Sequence, residues 1–172
     1  MKRKHGHLAD AATMGGSRKA TMGLLGLIGG LLVCSTAHAQ GEPAGFVQAL
    51  PDDIKWAPNP AAPGAQSAVL LGNPGKSEPY VVRAKFPDGF RIMPHTHPDQ
   101  RTYTVLSGTW YLGFGDKFDQ TKLKAYPPGS AYVLPANAAH FQLTKGETVI
   151  QMNAVGPAGV TFVNPADDPR KK

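Results

Sequence analysis

From residue 68 onward, short runs of β-branched, aromatic and other apolar residues alternate with turns that contain glycine or proline. Short runs of this kind, bounded by turn residues, are typical of β-strands. Nine strands are predicted, over residues 68–71, 80–86, 90–93, 102–106, 109–114, 130–134, 141–144, 148–154 and 160–163. One helical turn is predicted over residues 116–124. Many short strands without an internal repeat indicate a single all-β sandwich or barrel.

The first 39 residues have the organisation of a cleaved secretory signal peptide. Positive charges precede an apolar stretch over residues 22–33, and a small-x-small site ends at Ala39. The positive charges are Lys2, Arg3, Lys4, Arg18 and Lys19. The apolar stretch is shorter than the roughly 20 residues that a membrane-spanning helix needs. The pattern therefore predicts Sec-type export, cleavage after Ala39, a periplasmic or secreted location and no membrane attachment afterwards.

The remaining chain is predicted to form one domain with short flanking segments. Residues 40–67 form an N-terminal extension and connector, residues 68–164 form the barrel, and residues 165–172 form a C-terminal tail. Pro58, Pro60, Pro63 and Gly64 make the connector unsuitable for a helix. Trp56, just before these prolines, is expected to pack on the barrel exterior or on a partner chain.

Charge and cysteine content narrow the range of functions. The formal net charge is +6, but five of the 18 lysines and arginines lie in the predicted signal peptide. Most of the positive charge is therefore lost on cleavage, and a nucleic-acid partner is not expected. Cys34, the single cysteine, also lies in the signal peptide. The mature protein then has neither disulfides nor thiolate ligands nor a cysteine nucleophile.

Three histidines follow the signal peptide, and their spacing indicates a metal site. His95 and His97 are two residues apart on a predicted strand, so their side chains point to the same face. His140 follows another predicted strand and supplies a third imidazole. Three protein ligands leave coordination positions open for water or substrate. The sequence therefore predicts one divalent transition metal, and Fe, Mn, Zn, Ni and Cu all suit imidazole.

The order of these histidines and the nearby glycines resembles the first motif of the cupin family. That motif is G, five residues, H-x-H, three or four residues, E, six residues, G. The chain reads, at the same intervals, Gly89, His95, His97, Arg101 and Gly108. The match in spacing is complete, but an arginine replaces the glutamate.

The second cupin motif is G, five residues, P-x-G, two residues, H, three residues, N. The chain reads Gly129, Pro135, Asn137, His140 and Thr144 at these intervals. Asn137 replaces a glycine, and asparagine is the next best residue for positive φ, so the turn is expected to be kept. The resemblance implies a single jelly-roll barrel similar to the ChrR-like cupin domain. It also makes a homodimer through the segment around Trp56 one option, while the sequence itself leaves the oligomeric state open.

Arg101 cannot replace the metal-binding carboxylate of the family, because a guanidinium stays protonated and has no lone pair to donate. Three arrangements follow. A three-histidine centre would have Arg101 beside it as the anchor for an anionic substrate, such as a carboxylate. A shift in register would let Asp99 or Gln100 supply an oxygen. Alternatively, Arg101 would pair with Asp99 or another acid in a site that has lost its metal. The first arrangement is favoured.

The functional prediction is an exported metal-binding cupin that binds or acts on a small organic anion at His95, His97 and His140. Catalysis would be dioxygenase-type oxidoreductase chemistry or an isomerisation. The alternative is a non-catalytic module that senses a ligand or a metal. The catalytic residues, the substrate and the identity of the metal are left open by the sequence.

Overall fold

The computed structural model describes residues 41–171, and their regular structure is almost entirely β. The strands are β1 (Ala57–Pro58), β2 (Gln66–Leu71), β3 (Pro79–Phe86), β4 (Arg91–Thr96), β5 (Arg101–Phe114), β6 (Lys124–Tyr126), β7 (Ala131–Leu134), β8 (His140–Val155) and β9 (Thr161–Phe162). Short 3-10 helices lie at Pro51–Asp53, Gln120–Lys122, Pro165–Asp167 and Pro169–Lys171. The predicted all-β class is confirmed.

The predicted signal peptide, with Cys34, lies outside the described residues. Within the part of the chain that is described, no helix is both long enough and apolar enough to cross a membrane.

β5 and β8 are the longest strands and form the centre of the antiparallel sheet. They pair along most of their length, from Phe114 opposite His140 to Arg101 opposite Ala154. On its other edge, β8 pairs with β4 near its start and with β3 over its second half. Because β8 has different neighbours along its two halves, the sheet curls into a barrel. The first residue of β8, His140, thereby lies directly beside β4.

Two predicted turns are bulges within longer strands. The sequence predicts that the chain reverses at Gly108 and Gly146, but β5 and β8 each continue through these positions. Both glycines have positive φ, 67° and 73°, and the register between β5 and β8 shifts there. A β-bulge with glycine in the left-handed conformation bends a strand without ending it. The two glycines therefore have the backbone conformation expected of turn residues, but the prediction that the chain reverses at them was wrong.

Two other local differences concern short elements. β1 and β6 were not predicted; β6 forms by pairing with β5, with Tyr126 opposite Trp110. The predicted helical turn over residues 116–124 contains only the 3-10 helix Gln120–Lys122, which Asp119 caps by accepting a hydrogen bond from the Thr121 N–H. A short strand such as β6 forms because a neighbouring strand is available to pair with it, and a local sequence pattern does not contain that information.

The barrel interior is filled mainly by aromatic and aliphatic side chains. Phe86 and Trp110 lie with their ring centroids 5.2 Å apart, and Trp110 Nε1 donates a hydrogen bond to Tyr132 Oη at 2.9 Å. Other fully enclosed apolar residues include Ala84, Tyr103, Val105, Leu112, Leu134 and Ile150. Trp56 is half-buried on the barrel exterior, where the Lys85 ammonium lies 4.9 Å from its ring centroid.

Replacing Gly108 with alanine is expected to lower the free energy of unfolding by about 3 kcal/mol. Positive φ costs an L-residue roughly 1–2 kcal/mol, and overpacking adds about 1–3 kcal/mol. At Gly108 a Cβ would meet Thr148 Oγ1 and would lie 2.6 Å from the Glu147 carbonyl oxygen. The matched control is Gly89→Ala, where φ is 70° but nothing lies within 4 Å. Urea unfolding should show the larger loss in the Gly108 variant, and equal losses would contradict this account.

Candidate metal centre

The barrel brings all three motif histidines together at one end of β4 and β8. His95 lies on β4, His97 follows the end of that strand, and His140 begins β8. His95 and His140 are direct cross-strand neighbours, and their ring centroids are 4.2 Å apart. The His97 ring lies 4.9 Å from that of His95 and 5.1 Å from that of His140. The three rings therefore surround one point.

The geometry suits a bound metal ion. One nitrogen from each histidine can be chosen so that all three atoms lie within 4.8 Å of one another. The side chains are almost fully buried, with exposures of 3% for His95, 6% for His97 and 0% for His140. Among residues 41–171, no carboxylate belongs to this group. Three neutral imidazoles that leave coordination positions open are a donor set that divalent transition metals use.

Hydrogen bonds fix which nitrogen of each ring is available. The Nδ1 atoms of His95, His97 and His140 donate to the carbonyl oxygens of Met93 at 2.7 Å, Gly159 at 2.7 Å and Ala138 at 2.8 Å. Because a carbonyl only accepts, each Nδ1 carries the proton and each Nε2 keeps its lone pair. Outer contacts of this kind orient metal-binding histidines.

One unpaired atom supports metal binding independently. His140 Nε2 is buried and has no hydrogen-bond partner among the described residues. A buried acceptor without a partner costs roughly 1–3 kcal/mol. A metal ion at the centre of the three rings would use this lone pair, so the donor set fits the ion that the sequence predicts.

Burial keeps the three imidazoles neutral. It lowers the pKa of His95 to about 3, of His97 to about 2 and of His140 to about 4. The positive charge of Arg101 is the second largest cause at His97 and adds to the effect at the other two. At neutral pH the rings are therefore uncharged, which is the form that binds metals.

Arg101 is buried beside this group and is paired with Asp99. Its Nε donates to Asp99 Oδ2 and its Nη2 to Asp99 Oδ1, both at 2.9 Å. Tyr80 Oη also donates to Asp99 Oδ2, at 2.6 Å. Burial raises the pKa of Asp99, but the hydrogen bonds from Arg101 and Tyr80 outweigh this effect and the pKa falls below its ordinary value. The carboxylate is therefore fully engaged in an ion pair.

The observed site combines parts of two of the three arrangements that the sequence left open for Arg101. The three-histidine group belongs to the first arrangement, and the pairing of Arg101 with Asp99 belongs to the third. The second alternative required Asp99 or Gln100 as an oxygen ligand. Asp99 faces Arg101 instead and is not part of the histidine group, while Gln100 is exposed.

Two backbone carbonyls connect His97 to the ion pair and to the turn at Asn137. The Gly159 carbonyl accepts from both His97 Nδ1 and Arg101 Nη2, the latter at 3.0 Å. The His97 carbonyl accepts from the Asn137 N–H at 2.7 Å. Asn137 has φ 60°, so its predicted turn conformation is confirmed. The orientation of His97 is thus set by segments that are distant in sequence.

A cavity of about 440 Å³ opens beside the histidines. His95, His97 and Arg101 contribute to its wall, together with Tyr103 and Gln142. The other walls are mainly apolar and include Ala84, Phe86, Ile92, Trp110, Ile150, Met152 and Phe162. Gln142 was not among the predicted site residues, although its spacing of two from His140 indicates that both side chains face the same side of the strand. A wider depression over residues 115–122 contains none of the histidines.

Solved structures with the same architecture identify the fold of this protein. The polyketide cyclase RemF from Streptomyces resistomycificus matches with a TM-score of 0.60 and 21% identity, over 73% of this chain and 91% of that one. An RmlC-like cupin from Shewanella frigidimarina matches with a TM-score of 0.51 and 15% identity, over 63% and 88%. The protein therefore has the cupin fold, as the resemblance in the sequence predicts.

Sequence relatives agree with this assignment. Germin-like protein subfamily 1 member 7 of Arabidopsis thaliana is 37% identical over 89 residues, covering 49% of this chain and 37% of that protein. Germin-like protein 4-1 of Oryza sativa is 32% identical over 95 residues, covering 48% and 37%. The chain thus matches little more than a third of the length of these relatives. No family model matches the chain.

Proposed function

We propose that this protein is an exported, metal-dependent cupin that binds or transforms a small organic anion. His95, His97 and His140 would hold one divalent transition metal through their Nε2 atoms. The observation that carries the proposal is the convergence of three buried, neutral rings whose Nδ1 atoms are all engaged by carbonyl oxygens. Export rests on the sequence pattern of the first 39 residues alone.

The charge balance of the site favours an anion. Three neutral ligands leave the charge of a divalent cation uncompensated, and the Asp99 carboxylate is already paired with Arg101. An anionic oxygen at an open position would balance that charge. Arg101 lines the same cavity, and its Nε and Nη2 are engaged by Asp99 and Gly159. We therefore propose that a ligand carboxylate meets Arg101 at Nη1.

A bound metal would supply positive charge that polarises a carbonyl or an enol, or an open position for dioxygen. This suits dioxygenase-type chemistry and isomerisation alike. Proteins with the same fold have different reactions: RemF is a polyketide cyclase, and another matching structure is described as a DMSP lyase. The contribution of this chain is to orient the ligand atoms, to pair the buried charge of Arg101 and to surround the substrate with an apolar wall.

The second candidate function is a non-catalytic module in which a ligand or metal alters association with a partner, including a second copy of the chain through the segment around Trp56. Turnover distinguishes the two. Metal-loaded protein would be incubated with a panel of aromatic and aliphatic carboxylates, while oxygen uptake and product masses are recorded. Turnover that disappears in His97→Ala supports the enzyme. Binding without turnover supports the module.

The double variant Asp99→Asn/Arg101→Gln tests the role of Arg101. It removes both charges from the pair, so neither residue is left as an unpaired buried ion. We expect the affinity for a carboxylate such as benzoate to fall about tenfold, because a charge-assisted hydrogen bond is lost. Metal content should stay at the wild-type level. Unchanged benzoate affinity, measured by calorimetry, would show that Arg101 only supports the structure.

A further inference from the structure

Among the described residues, Gln142 is, besides His140, a buried side chain with a polar atom that lacks a partner, and Gln142 also lines the cavity. It lies on β8 two residues after His140, so both side chains point to the same inner face of the sheet. Only 2% of the residue is exposed, and Oε1 has no hydrogen-bond partner within the described chain. In register, Gln142 lies opposite Ile92 on β4 and Leu112 on β5. Its nearest cross-strand neighbours therefore supply only apolar side chains.

The unpaired amide is costly unless something enters the cavity. A buried oxygen without a partner costs roughly 1–3 kcal/mol, and apolar walls offer it none. Leucine would fill a similar volume without that cost. A site built to hydrogen-bond a substrate hydroxyl strongly rejects the analogue that lacks the hydroxyl, because the protein group is then left unpaired. An unpaired amide in an apolar cavity has the features of such a site.

The spacing of His140 and Gln142 along β8 also restricts the ligand. The Cα atoms of positions two apart on a strand are separated by about 7 Å. Because His140 and Gln142 point the same way, a ligand oxygen at the metal and a hydroxyl at Gln142 would be separated by a similar distance. This is roughly the span of a benzene ring with substituents at opposite positions, and such a molecule fits within about 440 Å³.

We propose that Gln142 is a specificity-determining residue that selects a hydroxylated aromatic carboxylate. The carboxylate would face the metal site, the ring would lie against the apolar walls, and the remote hydroxyl would donate to Gln142 Oε1. The proposal rests on the function proposed above, because the position of the carboxylate depends on a metal held by the three histidines. It adds the class of substrate and the residue that recognises the substrate hydroxyl.

Calorimetric titration with 3-hydroxybenzoate, 4-hydroxybenzoate and benzoate tests the proposal on the metal-loaded protein. We expect at least one hydroxybenzoate to bind about tenfold more tightly than benzoate. In Gln142→Leu this ratio should fall to about one, because the acceptor is removed while the volume is kept. The matched control is Met152→Leu, which alters an apolar wall of the same cavity and should preserve the ratio. The ratio is measured within each variant, so a general loss of stability does not imitate the effect.

Metal content measured on the same samples separates this proposal from the previous one. Wild-type protein without metal would overturn the proposed function. Three results at normal metal content would overturn the role of Gln142 alone. They are a ratio near one in the wild type, a failure of every benzoate derivative to bind, and a ratio that is unchanged in Gln142→Leu.

Discussion

Replacing Asp99 with alanine is expected to lower the free energy of unfolding by about 3–5 kcal/mol. The side chain of Arg101 is 9% exposed and that of Asp99 is 5% exposed, so the variant leaves a guanidinium buried without its counterion. Tyr80 Oη also loses its acceptor. Urea unfolding at neutral pH measures the change. Loss of a buried ion's partner is among the most damaging single substitutions, and the effect should exceed that of any apolar truncation of one or two methyl groups.

The chain contains a matched control for this prediction. Asp168 pairs with Arg170 at the same spacing of two residues, also through both carboxylate oxygens. The Arg170 side chain is 42% exposed, so water can solvate it when its partner is removed. Asp168→Ala should therefore cost about 1 kcal/mol or less. Similar losses in both variants would show that burial of Arg101 is not what makes its pairing important.

Removing one histidine is expected to abolish metal binding under ordinary conditions. Outer contacts to metal ligands already contribute about 10–100-fold to affinity, so loss of a direct ligand from a set of three should cost more than about 100-fold. His97→Ala would be titrated with Zn²⁺ or Ni²⁺, with affinity measured by calorimetry and content by elemental analysis. The variant should remain folded, because the Asp99 and Arg101 pair is intact.

Thr96→Ala is the control for this experiment. Thr96 lies between His95 and His97, so its side chain points to the opposite face of the strand. Its removal changes the same segment without changing a ligand, and the metal affinity should stay within about twofold of the wild type. Wild-type affinity in His97→Ala, or a large loss in Thr96→Ala, would contradict the assignment of ligands.

The spacing of residues in the sequence predicted those parts of the site that depend only on nearby backbone geometry. Residues two apart share a strand face, which was enough to pair His95 with His97, and asparagine tolerates positive φ, which was enough for the turn at Asn137. The cupin motif spacing then predicted that His140 joins them. Each of these inferences needs only backbone geometry or a motif that spans both strands.

Contacts between distant segments could not be read in the same way. The pairing of Arg101 with Asp99 was one of three open alternatives, while Tyr80 and the Gly159 carbonyl complete the environment from far along the chain. Gly108 has the conformation expected of a turn residue, but long pairing between β5 and β8 makes it a bulge. Whether a glycine reverses a strand or bends it depends on the neighbouring strand, which the local pattern does not contain.

The metal site is tested most directly by a crystal structure of protein purified from its own compartment. Anomalous scattering would be recorded across the metal absorption edges. We expect one ion per chain, bonded to the Nε2 atoms of His95, His97 and His140 at about 2.0–2.1 Å for a metal such as zinc. The absorption edge identifies the element. An ion bound elsewhere, or three rings that remain without an ion after the crystal is soaked in divalent metal, would contradict the account.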